Sequence, residues 1–112
     1  MKSLLVCLLL FVAAVYSPRQ VRSYTVGDVL RHARQLSNDS TTVKINGYIT
    51  KKVGSGVYLF EDRTAEIYLY AEDKYLPEKP FDERVALVVQ ALVQYEYNKP
   101  ITLRANKTIT SE

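Results

Sequence analysis

Residues 43 to 73 read VKINGYITKKVGSGVYLFEDRTAEIYLYAED, and the alternation of their apolar side chains decides the fold. A strand sends successive side chains to opposite faces, so a sheet with one wet face alternates apolar with polar. Val43, Ile45, Gly47 and Ile49 do this against Lys44, Asn46, Tyr48 and Thr50, with Val53 extending the first set. Gly54-Ser55-Gly56 then read as a hairpin turn, since glycine takes positive φ without strain. The next two strands, 57 to 61 and 66 to 72, break the rule. Val57 and Leu59 oppose Tyr58 and Phe60, and Ile67, Leu69 and Ala71 oppose Tyr68 and Tyr70. With apolar or aromatic side chains on both faces, the second face has to be covered or used.

Outward from this stretch the pattern stays short-range. DKYLPEKPFDE (73 to 83) is a loop broken by Pro77 and Pro80, VALVVQALVQYEY (85 to 97) is a β-branched run, Asn98-Lys99-Pro100 turns the chain, and ITLRANKTI (101 to 109) alternates again. Upstream, Val26, Val29, Leu30, Ala33 and Leu36 recur at helical spacing, which predicts a helix over 26 to 36. Thr25 is its N-cap, and Asp28 stands as the acid of a capping box. SNDST (37 to 41) ends the helix with turn chemistry. No internal repeat or low-complexity tract is present. Five strands and one helix in about 90 residues predict an all-β domain with a short N-terminal helix, most economically a five-stranded barrel of the OB type. Gly47 falls where the long first strand would bend around a barrel corner. A sandwich or an SH3-like barrel fits the pattern alone as well.

The chain has 112 residues, about one domain's worth. Its first segment reads as a secretory signal: Lys2 supplies a positive start, and LLVCLLLFVAAV (4 to 15) is an apolar run too short for a comfortable permanent span. No permanent membrane anchor is therefore expected. Ala14, Ser17 and Ser23 each offer a small residue for cleavage, with Pro18 counting against the middle one, and SPRQVRS (17 to 23) is a polar tether. Residues 1 to 23 are thus assigned to signal peptide and tether, and 24 to 112 to the folded domain.

Lys2, Arg19 and Arg22 all precede Tyr24, so the 15 basic and 12 acidic residues of the chain reduce to 12 against 12 in the domain. That balance lacks the basic footprint of a phosphate-backbone binder. The one cysteine, Cys7, lies in the signal, which leaves the domain without a disulfide, thiol catalysis or a cysteine metal site.

The stretch 43 to 73 resembles the bacterial OB-fold family of exported stress-tolerance proteins, of the YgiW/YdeI type. That family shows a V-x-L-x-G-x-I strand, a Y-x-F-x-D strand, a T-G-x-I turn and strand, and a later V-x-I-x-G-x-V strand. Val43, Ile45, Gly47 and Ile49 match the first. Tyr58, Phe60 and Asp62 match the second, and Thr64 and Ile67 the third, with Ala65 in place of the glycine. The resemblance covers roughly residues 25 to 109. It implies a periplasmic, non-enzymatic protein acting in envelope stress. Ala65 implies either another turn type or a strained left-handed residue, and Ala91, also in place of a glycine, puts the fourth strand's register in question. Tyr48, Tyr68 and Tyr70 stand where the family commonly has small polar or acidic side chains.

Those three tyrosines are the candidate ligand-binding set, since the outer face of an OB barrel is where ligands generally sit. A tyrosine offers a flat ring for stacking and a hydroxyl that wants a hydrogen bond. Lys44, Lys51, Lys52 and Arg104 are expected to rim the surface. The opposing reading makes the rings ordinary cross-strand pairs. Tyr58, Leu59 and Phe60 are expected to be structural and Asp62 to be a turn former. His32 is the sole histidine, without converging ligands, so no metal or other cofactor is expected. Neighbouring acids such as Glu61-Asp62 point apart in strands, and no nucleophile-base spacing or Gly-rich phosphate loop is present. The expected function is binding of a cell-envelope component, a glycan fragment or an envelope protein. Single-stranded nucleic-acid binding is an alternative, as is a protein inhibitor or assembly factor working through an exposed edge strand.

Overall fold

A computed structural model describes residues 21 to 112, and its geometry follows from one long strand that pairs on both sides. The strands are β1 (Val21–Ser23), β2 (Thr42–Gly54), β3 (Val57–Glu61), β4 (Glu66–Tyr70), β5 (Leu87–Gln94), β6 (Thr102–Ala105) and β7 (Thr110–Ser111). The first half of β2 pairs antiparallel with β5, from Thr42 opposite Leu92 to Gly47 opposite Leu87. Its second half pairs with β3, from Tyr48 opposite Glu61 to Gly54 opposite Val57. The remaining neighbours, β3 with β4, β4 with β6 and β6 with β5, close the ring. Only β4 and β6 run parallel within it. A five-stranded barrel with its third and fifth strands parallel is the OB-fold, as the sequence predicts.

Gly47 sits where β2 changes partners. A Cβ there would lie 2.5 Å from the Glu61 carbonyl oxygen and 2.8 Å from the Phe60 ring. The glycine thus admits a close approach of β3 and its largest buried side chain. In the hairpin turn only Gly56 has positive φ, at 70°, so Gly54 is not needed there for its conformational freedom. Ala65 is not left-handed either, since among the described residues the positive-φ residues other than glycine are Ser40 and Asn98. The turn at 62 to 65 is of another type and is held by Asp62. Ala91 keeps regular register opposite Val43.

The two faces of the β3–β4 hairpin separate cleanly. Tyr58, Phe60, Ile67 and Leu69 point inward and are buried together with Val43, Ile45, Leu87, Val89 and Leu103. Val57 and Leu59, half-buried, and Tyr68 and Tyr70, exposed, take the outer face. Val53 departs from the simple alternation. Register shifts between Ile49 and Lys51, and again between Lys52 and Gly54, insert extra residues into β2. Val53 therefore stands outside, 49% exposed, rather than in line with Ile49.

The expected single helix is two: α1 (Val26–Arg31) and α2 (Ala33–Asn38), broken at His32, whose φ of −117° and ψ of 20° leave the helical region. Val26 and Val29 from α1 and Ala33 and Leu36 from α2 are all buried in the barrel core. Because α1 packs near β4 and α2 near β5, the bend lets one amphipathic stretch follow a curved surface. The capping box is present: the Asp28 N–H donates to Thr25 Oγ1 at 3.0 Å and the Thr25 N–H to Asp28 Oδ2 at 3.4 Å.

Asp62 does more than form its own turn. Its Oδ1 accepts from the Thr64 and Ala65 N–H groups, while Oδ2 accepts from the Val26 N–H at 2.8 Å. The Gly27 N–H donates to Thr64 Oγ1 at 2.8 Å. Two of the orphan donors of α1 are thereby satisfied by the β3–β4 turn.

Three further differences concern the ends of elements. Val21–Ser23, read as tether, forms a parallel edge strand beside β2, with Val21 opposite Thr42. The run 85 to 97 is a strand only over Leu87–Gln94, and 101 to 109 only over Thr102–Ala105. The apolar run read as a secretory signal, and Cys7 within it, lie outside the described residues.

Two stability experiments test these contacts. Gly47→Ala should lower stability in urea unfolding by about 1–3 kcal/mol through overpacking, and a loss below about 0.5 kcal/mol would mean that β3 and Phe60 move aside freely. Partial burial pushes the Asp62 carboxyl up, but its hydrogen bonds from the Thr64 side chain and the Val26, Thr64 and Ala65 N–H groups outweigh this and hold it below the usual carboxylate value. A depressed folded pKa adds stability above the unfolded pKa of about 3.9 that is lost as pH falls through the folded value. Asp62→Ala should therefore cost about 0.5–2 kcal/mol at pH 7, with the gap to the natural protein narrowing as pH falls below the unfolded carboxylate pKa of about 3.9.

Candidate ligand-binding groove

The outer face of β3 and β4 would be an ordinary half-wet sheet surface if nothing rose beside it. Two features do. The β2–β3 hairpin brings Val53 over one edge, and the β5–β6 turn, residues 95 to 101, rises over the other. In that turn Asn98 adopts φ 62° and the Lys99 N–H donates to the Glu96 carbonyl oxygen at 3.2 Å. Between them lies an open hollow of about 390 Å³, with Val53, Val57, Tyr68 and Tyr70 on one side and Gln94, Glu96, Lys99, Pro100 and Thr102 on the other.

The register explains how these side chains meet. Tyr68 stands opposite Leu59 on β3 and opposite Thr102 on β6, which in turn stands opposite Gln94 on β5. Tyr70 stands between Val57 and Arg104. Each tyrosine is thus seated in a cross-strand row yet keeps a large exposed fraction, 40% for Tyr68 and 45% for Tyr70. A half-seated ring is positioned by the sheet and free to stack on one side. Lys99 is tied to Glu96 at 2.9 Å, and that hydrogen bond raises its pKa above the ordinary lysine value. The two opposite charges leave the hollow close to neutral.

The expected site residues divide in space. Tyr68 and Tyr70 line this hollow, and Arg104 lies next to Tyr70 in an adjoining hollow of about 330 Å³ with Ser55, Gly56, Glu72 and Gln94. Tyr48 is elsewhere: it stands opposite Glu61 and lines a separate depression with Thr25, Asp62 and Arg63. Lys44 belongs to the half of β2 that pairs with β1 and β5, opposite Ser23 and Gln90. Both are outward-facing on β2, but the strand's passage from one partner to the other separates them from Tyr68. Of the expected rim lysines, Lys52 places its Nζ 6.0 Å from the Tyr58 ring centroid.

Pattern reading overlooked Val53, Val57, Gln94, Thr102 and the turn residues Glu96, Lys99 and Pro100. The signal that reaches them is topological: in an OB barrel the loops after the first and fourth strands flank the face of the second and third. His32 is exposed at the break between the helices. Among the described residues no three His, Cys, Asp or Glu side chains gather as a metal would require. What the groove can do chemically is stack two rings against a ligand and offer it the amide of Gln94 and the hydroxyl of Thr102.

No protein-family profile matches the chain, and no curated protein sequence matches it. Solved structures do. The hypothetical protein ygiW from E. coli is similar over 86% of this chain and 91% of its own, with a TM-score of 0.64 and 17% identity. A chain of a Replication Protein A heterotrimer bound to ssDNA is similar over 83% of this chain and 81% of its own, at TM-score 0.62 and 12% identity. The OB domain of MM0293 from Methanosarcina mazei is similar over 81% and 82%, at TM-score 0.52 and 16% identity. At these identities the likeness is one of fold, and the fold is an OB barrel.

The seating of the tyrosines makes a stability prediction. Replacing Tyr68 and Tyr70 together by serine should cost no more than about 2 kcal/mol, the cross-strand pairs being worth roughly 0.2–1 kcal/mol each, with the far-UV circular dichroism unchanged. A larger loss would show that the rings hold the barrel together.

Proposed function

We propose that this chain is an exported, non-enzymatic OB-fold binding protein of the YgiW type, which recognises a cell-envelope component in the bacterial periplasm and serves tolerance of envelope stress. The observation that carries this reading is the placement of Tyr68 and Tyr70: two half-exposed rings in a hollow bounded by the β2–β3 hairpin and the β5–β6 turn. Export rests on the apolar run after Lys2, and the periplasm and the stress role rest on the resemblance of residues 25 to 109 to that family. A glycan fragment suits the groove best, because sugar rings present flat apolar faces to aromatic side chains and hydroxyls to Gln94 and Thr102. The near-neutral hollow asks for no large charge on the part of the ligand it holds.

A second reading is single-stranded nucleic-acid binding, favoured by the similarity to the chain of Replication Protein A bound to ssDNA. Stacking aromatics serve that function too. Against it stands the balance of 12 basic and 12 acidic residues after Arg22.

An NMR chemical-shift titration of the protein with soluble peptidoglycan fragments and, separately, with a short single-stranded oligonucleotide at low salt distinguishes the two. Saturable shifts of the Tyr68 and Tyr70 ring resonances are expected with the glycan, and their loss in the double serine variant. Oligonucleotide shifts that fall steeply as salt is raised would replace the glycan reading with the nucleic-acid one.

A further inference from the structure

We propose that Arg104 forms an anion-binding subsite contiguous with the tyrosine hollow, so that the ligand is an acidic saccharide whose carboxylate sits at Arg104 while its ring stacks on Tyr68 and Tyr70. This deepens the glycan reading above and rests on it. The two hollows share Tyr70 and Gln94, which makes them adjoining compartments of one groove.

Their charges differ. In the first, Lys99 is neutralised by Glu96. In the second, Arg104 points outward from β6 between Tyr70 on β4 and Leu92 on β5. Its guanidinium makes no ion pair with any described residue. Glu72, the acid of that hollow, is paired with Lys74 at 3.6 Å.

An unpaired guanidinium fork matches a carboxylate with two parallel hydrogen bonds. With one free cation and an acid nearby, the compartment fits a singly charged carboxylate better than a doubly charged phosphate. Gln94 lines both compartments, and its amide can donate to the carboxylate or bond a ring hydroxyl.

The test uses two trisaccharides that differ only at C6: cellotriose and its uronate form, in which the C6 hydroxymethyl groups are oxidised to carboxylates. Affinities are measured by NMR titration at low salt on the natural protein and on Arg104→Gln. The uronate should bind about tenfold tighter than cellotriose, as expected for charged hydrogen bonds. Arg104→Gln should bring the two within about twofold, chiefly by weakening the uronate.

Equal affinities in the natural protein, or a uronate preference that survives Arg104→Gln, would overturn the anion subsite while leaving saccharide binding in the groove intact. Absence of Tyr68 and Tyr70 shifts with both sugars would overturn the saccharide reading and this assignment with it. A thymidine trinucleotide run alongside that binds tighter than either sugar, and loses its advantage in Arg104→Gln, would give the subsite to phosphate instead.

Discussion

Where β2 leaves β5 and turns to pair with β3, its backbone at Gly47 comes so near the Glu61 carbonyl and the Phe60 ring that a methyl group would overlap both. The rest of the barrel depends on that approach. It lets one strand serve two neighbours, buries Phe60 fully in the core, and fixes the register that sends Tyr58, Phe60, Ile67 and Leu69 inward. With that register fixed, the other set of side chains on the hairpin has no choice of face. A strand displaced by one residue would exchange the two sets, so the outward position of Tyr68 and Tyr70 is secured by packing on the opposite side of the sheet.

The helices are attached to this barrel by apolar contact and by a polar clamp at their start. Val26, Val29, Ala33 and Leu36 supply the first. Asp62 and Thr64 supply the second, reaching from the β3–β4 turn to the Val26 and Gly27 N–H groups. A helix as short as α1 is marginal alone; Thr25 caps its Asp28 N–H locally, whereas the Val26 and Gly27 N–H groups find partners only on the β3–β4 turn. The clamp and the tyrosine groove lie at opposite ends of the same hairpin, one holding the scaffold and the other facing solvent.

Much of this was readable in the residues. The alternation of Val43, Ile45, Gly47 and Ile49 and the doubled apolar faces of 57 to 71 specify a barrel hairpin, and Thr25 with Asp28 marks the helix start. Tyr68, Tyr70 and Arg104 were nameable as outward-facing, and the fold brings them side by side. What escaped was whatever depends on where strands bend. The two register shifts that expel Val53 leave no composition signal, since Thr50 and Val53 are ordinary strand residues. Tyr48 and Lys44 share the outward parity of Tyr68 along the sequence but lie on parts of β2 that curve elsewhere. The turn residues Glu96, Lys99 and Pro100 reach the groove only through pairings between segments distant in sequence.

That distance has a kinetic side. Strands β2, β3 and β4 are successive hairpins, whereas closing the ring joins Gly47 to Leu87, about 40 residues on, and sets β6 parallel beside β4. Contacts between remote segments form slowly because loop-closure entropy must be overcome before they are rewarded. One wall of the groove, with Val57, Tyr68 and Tyr70, is therefore local, and the other, with Gln94, Lys99 and Thr102, arrives only at ring closure. A partly assembled chain would present the bare tyrosine wall without its counterpart, so the two-walled groove exists only in the completed barrel.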